Sequence, residues 1–349
     1  MKKLLLCALC CLLLTGCGSY RELNDVVIVS GGGLEQADNG EIALTSQLVT
    51  LPEGEMAPQP ELSAVSGQTP SAAFDALHKL TGKAPYWSHA QSFLIGENLA
   101  RTGVTQTIQA LVADPEIRLT DRLLVTAGTQ PEPVLSATAA AGEISGYDLY
   151  TLVSSPTAQL DMPLYRFADT LFDTGIDPIL PAVTLTADGK PALLGTAIFH
   201  GDTLAGYLNH DQTQTLILLL GKIQSMPLTL ETGETYLLNH AFCRIVPARQ
   251  ENHLVFTVHL TVQARQKDGD GSSRQLQAEL DDRITALFSI LRDDLQADSL
   301  GVIRQAQRYL PAAKIPKNPY PTSQLKTQIS VSLFPASSVT QTQEVNAHG

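Results

Sequence analysis

Apolar positions in this chain recur with two periods, and the switches between them mark its elements. Residues 26–30 are a β-branched run, and Ile42, Leu44 and Leu48 fall on one face of a second extended segment. Between them Asp38, Asn39 and Gly40 supply the positive φ angles of a tight hairpin. Residues 52–60 carry Pro and Glu without periodicity and read as a linker or exposed loop. Thr69 and Pro70 then open a helix as N-cap and first residue. Phe74, Leu77 and Leu80 give it an apolar stripe, and Gly82 closes it. A short strand over residues 93–95, a helix near 104–112 and a strand near 123–125 follow. Residues 137–171 read as short helical pieces broken near Pro156 and Pro163.

The pattern then turns to strands: 179–185, 193–199 and 203–208, with turns at Asp188-Gly189 and Gly201-Asp202. A helix over 213–222 ends at a basic residue, and two long strands lie near 236–246 and 254–264. Residues 275–309 form one long amphipathic helix or a pair, stopped by Pro311, and a last strand spans about 325–334. An isolated two-stranded ribbon is marginal in water. The first hairpin is therefore expected to join the strands after Ile179. The expected class is α+β, with mixed or antiparallel sheets flanked by helices. The expected domains are a discontinuous first (17–64 plus 174–225), an inserted and largely helical α/β second (65–173), and a third (226–349) with the long helix and terminal strand.

The amino end has a different character. Lys2 and Lys3 precede an unbroken apolar run over 4–14, too short to span a bilayer but the length of a signal-peptide core. Leu14, Thr15, Gly16 and Cys17 complete a lipobox: small residues admit a peptidase, and the Cys17 thiol can carry a diacylglyceryl thioether with acyl chains such as palmitate. The alternative is an ordinary cleaved signal, 1–16, beside a chance cysteine. No later segment is long and apolar enough to cross a membrane, so the expectation is a folded ectodomain held outside a membrane by Cys17.

Charge and cysteine content narrow the partners. The net charge is −12, and removal of Lys2 and Lys3 takes it to −14. That argues against nucleic acid and against charge-driven binding of anionic lipid. After Cys17 only Cys243 remains, so no internal disulfide is expected, and Cys243 reads as a small buried hydrophobe.

Candidate chemistry is sparse. Gly31, Gly32 and Gly33 follow a strand but lead to no helix N-terminus, so a bulge or twist is expected in place of a phosphate cradle. Ser323-x-x-Lys326 matches the core of a serine acyl-enzyme motif without its companions. Asp268 and Asp270 among glycines lack the remaining ligands of a calcium loop. His253 and His259 share strand parity but lie about 20 Å apart along a strand, too far to share a metal. No catalytic residue, metal site or cofactor is assigned.

Five segments in order resemble one family, the C-subunit lipoproteins of nutrient germinant receptors in endospore-forming bacteria. They are Arg21-Glu22-Leu23-Asn24-Asp25 running into the glycine cluster, Asp114-Pro115-Glu116-Ile117-Arg118, and Asp177-Pro178 with Pro181. Gly195-x-Ala197-x-Phe199 with Asp202 and Leu204-x-Gly206, and Leu219-Leu220-Gly221-Lys222-Ile223, complete the set. The chain departs from the pattern at Gly18 and Ser19, where the family often has an aromatic and an acidic residue. The carboxyl third matches in layout only, with Pro311, Pro316, Pro319 and Pro321 in a shorter stretch.

The resemblance implies a non-enzymatic three-domain ectodomain on the outer leaflet of the spore inner membrane. Its partners would be a multi-spanning A subunit and a transporter-like B subunit. Arg21, Glu22 and Asp25 would lie at the membrane face, as a partner contact or as a cap and salt-bridge network opening the first strand. Two other classes compete: a solute-binding lipoprotein of a transporter, disfavoured by the hairpin signals, and a tethered cell-wall enzyme, disfavoured by the missing catalytic constellation.

Overall fold

The computed structural model describes residues 25–50, 59–139, 144–154, 160–221, 225–230, 232–269 and 271–334. Its first sheet is assembled on β1 (Val26–Gln36). On one edge β1 pairs antiparallel with β2 (Ile42–Thr50), which pairs with β3 (Gln59–Gly67). On its other edge β1 takes two short parallel strands in succession. They are β4 (Ala84–Tyr86) beside Val26 to Ile28 and β5 (Ser92–Ile95) beside Gly31 to Leu34. The sheet continues through parallel β6 (Arg122–Thr126) and β7 (Ile179–Leu185) to antiparallel β8 (Pro191–His200) and β9 (Thr203–Leu208). β5 and β6, from the stretch expected as an insert, stand between β1 and β7, so the hairpin does not pair directly with the strands after Ile179.

Neighbouring residues on the central strands point to opposite faces, and each face has its own core. Phe93, Ile95, Leu123 and Val125 meet the helices α1 (Pro70–Thr81), α2 (Glu97–Thr102), α3 (Thr105–Ala113) and α6 (Leu164–Leu171). Leu94, Leu124 and Val183 meet α4 (Pro131–Ala139) and α5 (Ser145–Ser154). The glycine cluster serves the second layer. The β1–β2 register shifts between Val29 and Gly31, which is the bulge expected there. A Cβ on Gly33 would fall on the Pro131 ring, so α4 can lie on β1 only where a side chain is missing.

Sequence and structure differ at several ends. Gln59 and Pro60, read as loop, open β3, an edge strand where a Pro without N–H is tolerated. Leu80, placed in the apolar stripe of α1, is 62 % exposed; Leu77 is buried and Phe74 half-buried. The helix expected over 213–222 is α7 (His210–Leu219): Asn209 and Gln212 form a reciprocal capping box that starts it three residues earlier. Thr69 and Gly82 cap α1 as expected, Gly82 in the left-handed region.

The second sheet runs β10 (Met226–Thr229), β11 (Thr235–Gln250), β12 (His253–Asp268) and β13 (Gln324–Phe334), the last parallel to β12. β11 shifts register between Leu238 and Ala241, where His240 takes φ 25°. The extra residue changes parity, so the buried Tyr236 and Leu238 give way to the inward-leaning odd positions Ala241, Cys243 and Ile245. The region over 275–309 is a pair of helices: α8 (Ser273–Ser289), buried through Leu276, Leu280, Ile284 and Leu287, and α9 (Val302–Tyr309). A π-helical turn over Ile290–Asp294 follows α8. α7 packs on β8 and also on α8 and β11, so one continuous core joins the two sheets.

A polar joint fixes that packing. The Asp177 N–H donates to the Asp298 carbonyl (3.1 Å), and the Asp298 N–H donates back to Asp177 Oδ2 (2.7 Å). Asp177 Oδ1 also accepts the Gly201 N–H (2.8 Å), holding the β8–β9 turn. The Asp298 carboxylate accepts the Val302 and Ile303 N–H groups at 2.9 and 2.8 Å, which start α9. Arg304 adds its N–H to the Gly175 carbonyl and its guanidinium to Asp173 (2.7 Å). Burial is the largest influence on Asp298 and raises its carboxyl to about 6, against the pull of the amides it accepts.

Two outcomes are expected. Gly33→Ala should destabilise the chain by about 1–3 kcal/mol, read from the denaturation midpoint, because the new methyl meets the Pro131 ring. An unchanged midpoint would mean that α4 can move aside. The raised Asp298 carboxyl binds its proton more readily in the folded than in the unfolded chain. Its contribution is therefore present at low pH and lost as pH rises through about 6. Between about pH 7 and about pH 4.5 the parent should gain on the order of 2 kcal/mol relative to Asp298→Asn. Parallel pH profiles for the two proteins would refute protonation at this position.

Candidate functional site

Cys17, Arg21 and Glu22 lie outside the described residues. Asp25 is exposed and stands one residue before β1. The chain thus enters the sheet at the edge where the parallel strands β1, β5, β6 and β7 all begin.

The opposite edge, at the carboxyl ends of those strands, is where open parallel sheets bind ligands. Here Glu35 closes β1, Gly96 and Glu97 follow β5, and Gly128 follows β6. Glu35 is buried, and its Oε1 accepts the N–H groups of Gln36 (2.7 Å) and Leu99 (3.0 Å). Burial raises its pKa, with the two amides opposing. Only a glycine fits at Gly96, since a Cβ there would strike the Glu35 carboxylate. Burial is also the largest single influence on Glu97, but its pKa falls below the ordinary value. It accepts the Gly128 N–H (2.9 Å) and pairs with Arg101 (2.7 Å), and these, with the Tyr207 hydroxyl, together outweigh burial; that hydroxyl donates to the Thr126 carbonyl at 3.5 Å. Burial, reinforced by Glu97, pushes the Tyr207 hydroxyl well up. The acceptors at this edge are engaged by backbone amides, a guanidinium and a hydroxyl. They tie loops to strands.

Other motif residues act in the same way. Asp114 Oδ1 accepts the Glu116 N–H (2.9 Å) in a tight turn, and Ser88 Oγ donates to the Glu116 carbonyl. Asp202 Oδ2 accepts the Thr105 hydroxyl (2.7 Å) while its carbonyl takes the Val104 N–H (3.0 Å), fixing the β8–β9 turn against α3. Gly195 has φ +153°, and a Cβ there would fall on the Leu208 carbonyl. Sequence reasoning found these positions as motif members. It missed Glu35, Glu97, Asp298 and Tyr207, because part of what engages each is far along the chain: Leu99 for Glu35, Gly128 for Glu97, Asp177 for Asp298 and Thr126 for Tyr207.

The remaining candidates are dispersed. Ser323 is buried and its hydroxyl donates to the Tyr320 carbonyl at 2.6 Å, while Lys326 is exposed, so the acyl-enzyme spacing does not assemble a nucleophile and base. Asp268 is exposed at the end of β12, and Asp270 lies outside the described residues. Among the described residues no group of three or more His, Cys, Asp or Glu is placed to hold a metal ion. Cys243 is half-buried, and burial pushes its thiol up to about 11. A groove of about 940 Å³ beside α8, β12 and β13 is lined by Arg274, Gln277, Asp281 and Gln328, among others. Its carboxylate, Asp281, accepts the Thr327 hydroxyl.

Comparison with known proteins agrees with this architecture. The chain aligns over 240 residues at 26 % identity with the putative spore germination protein YfkR of Bacillus subtilis (strain 168), covering 63 % of this chain and 61 % of that relative. Spore germination proteins KC and B3 of the same organism are 22 % and 25 % identical, over 72 % and 73 % of this chain and 71 % of each relative. The crystal structure of the GerBC protein superposes with a TM-score of 0.57 at 18 % identity, covering 87 % of this chain and 97 % of GerBC. That likeness establishes a shared fold. Residues 19–185 match the spore germination protein N-terminal domain, and residues 194–334 match the C-terminal domain of spore germination B3/GerAC-like proteins. With both domains present, in order and nearly contiguous, the chain belongs to the GerAC family of spore germination proteins.

Proposed function

We propose that this chain is a non-enzymatic, membrane-anchored subunit of a spore nutrient germinant receptor, and that it works through surfaces that contact membrane-spanning A and B subunits. The observation that carries this reading is the pair of family matches over 19–185 and 194–334, directly behind the lipobox at Cys17. The engaged state of the buried and half-buried carboxylates supports the non-enzymatic part. General acid–base catalysis needs a titratable group within reach of substrate, and Glu35, Glu97 and Asp298 are each bonded to backbone amides instead. No described helix is long and apolar enough to cross a membrane, so the proposed link to the bilayer is the thioether at Cys17. A lipid tether confines the chain to one leaflet, raises its effective concentration near a membrane partner, and lets weak contacts suffice.

Replacing Cys17 with Ala should block lipidation and release the chain from membranes; a Cys17→Ala protein that still sediments with membranes and labels with fatty acid would overturn the anchor. A second expectation concerns the entry segment. Combined charge reversal at Arg21, Glu22 and Asp25 should reduce co-purification with the A and B subunits several-fold while the ectodomain keeps its melting temperature. Unfolding of the reversed protein would make the segment structural, and normal assembly with normal germination would remove it from the contact surface.

A further inference from the structure

The edge of the first sheet where the chain enters carries more than the amino end. β4 starts in register with Val26, so the end of α1 and the turn into β4 lie at this edge. β6 starts in register with Ser92 and Gly31, so the loop between α3 and β6 approaches from the same side. The stretch before α6 runs back along β6: the Leu123 N–H bonds the Met162 carbonyl and the Tyr165 N–H bonds the Leu119 carbonyl. α6 therefore also begins at this edge. α1, α3 and α6 lie side by side on one face of the sheet, and all three present an end here.

Four of the large apolar side chains that the fold leaves exposed cluster at those ends. Leu80 is 62 % exposed at the end of α1, and Val112 is 41 % exposed at the end of α3. Leu119 (46 %) sits in the loop before β6 and Tyr165 (41 %) opens α6. Exposed cations stand next to them. Lys79 and Lys83 flank Leu80, Arg118 precedes Leu119, and Arg166 lies over the Tyr165 ring at 5.9 Å. The described carboxylates nearby are Asp25, Asp114 and Glu116, with Asp75 one turn before Lys79, Asp169 one turn after Tyr165, Asp121 buried and Asp161 paired to Arg122. The connection 51–58, which carries Glu53 and Glu55 and joins strands that end and begin at this edge, lies outside the described residues. On a chain of net charge −12, three of these four exposed apolar tips thus have exposed cations beside them.

The geometry points to a docking surface for an anionic phospholipid bilayer, formed by the helix ends and loops around Leu80, Leu119 and Tyr165 on the anchor side of the first sheet. The inference rests on the proposed lipid anchor. Nine residue steps from Cys17 to Val26 reach at most about 30 Å, so a lipidated Cys17 keeps this edge within that distance of the headgroups. The apolar tips stand on separate helix ends and loops rather than in one concave patch. A bilayer interface accepts such tips singly, with the aromatic ring and the basic groups at headgroup level. The cations supply the attraction to anionic lipid that the whole-chain charge would deny.

The test uses the full lipidated chain in vesicles of phosphatidylcholine and phosphatidylglycerol, with a fluorophore on Leu80→Cys or Leu119→Cys. A reference label sits on Asp188→Cys, in the turn between β7 and β8 at the opposite edge. Cys243 competes little for the label, since its half-buried thiol, raised to about 11, stays protonated near neutral pH. Brominated lipid should quench the labels at 80 and 119 several-fold more than the label at 188. That difference should collapse when Lys79, Lys83, Arg118 and Arg166 are all replaced by Glu in a protein of unchanged circular dichroism, and in vesicles lacking phosphatidylglycerol. A chain that stays on the vesicles with equal quenching at the three sites overturns the docking surface and leaves the anchor standing. A chain that does not stay overturns both. Protection at 80 and 119 that appears only when the membrane-spanning subunits are added assigns the edge to a protein partner and overturns the lipid reading.

Discussion

A buried carboxylate survives in a fold only where donors meet it, and Asp298 has its donors by construction. Two amides at the start of α9 point at its oxygens, and its own amide and carbonyl are exchanged with Asp177. Asp177 in turn holds Gly201. One pair of residues thus joins the loop before β7, the β8–β9 turn and the helix that follows the second sheet's long helix. Hydrophobic burial through α7 presses the two sheets together but does not fix direction. These hydrogen bonds are directional, so the mutual setting of the sheets depends on them. The cost is a carboxyl raised to about 6, which the surrounding amides reduce without cancelling.

Local signals made much of the fold legible in the sequence. Thr69, Pro70 and Gly82 bound α1 because capping is a matter of a few adjacent residues. The turn residues Asp188, Gly189, Gly201 and Asp202 marked β7, β8 and β9 for the same reason. Strand order was not legible. Parallel pairing of β1 with β4 and β5, and of β5 with β6, joins segments separated by tens of residues, and no turn between them records the partner. Hairpin chemistry drew attention to antiparallel neighbours, while the middle of the sheet is parallel. β3 was missed because its half-exposed alternation, with Pro60 at its start, resembles an irregular segment. Leu80 shows the limit of periodicity: it has helical spacing from Leu77, yet it ends the helix beyond the layer that α1 covers.

The candidate site was legible in a different sense. Motif members such as Asp114, Asp177 and Asp202 could be found by order along the chain, but their chemistry could not. In place they are acceptors for backbone amides and hydroxyls, at 2.9, 2.7 and 2.7 Å. A carboxylate satisfied in that manner holds a turn. Asp177 and Asp202 serve long-range connections, to Asp298 and Thr105, and such partners leave no spacing in the sequence.

Topology then determines which surface is available for interaction. β7 is parallel to β6 and β8 returns antiparallel, so Asp177 and the Gly201 turn lie at the edge where β1 begins. The joint to the second sheet and the entry of the chain share that edge, and the opposite edge is closed by Glu35, Glu97 and Tyr207. A change in the angle between the sheets would have to break bonds of Asp177 or Asp298. The bonds there are few and directional, whereas the apolar core behind them is continuous through α7. The directional part of the contact between the sheets thus lies at the Asp177–Asp298 joint, and the non-directional part in the shared core.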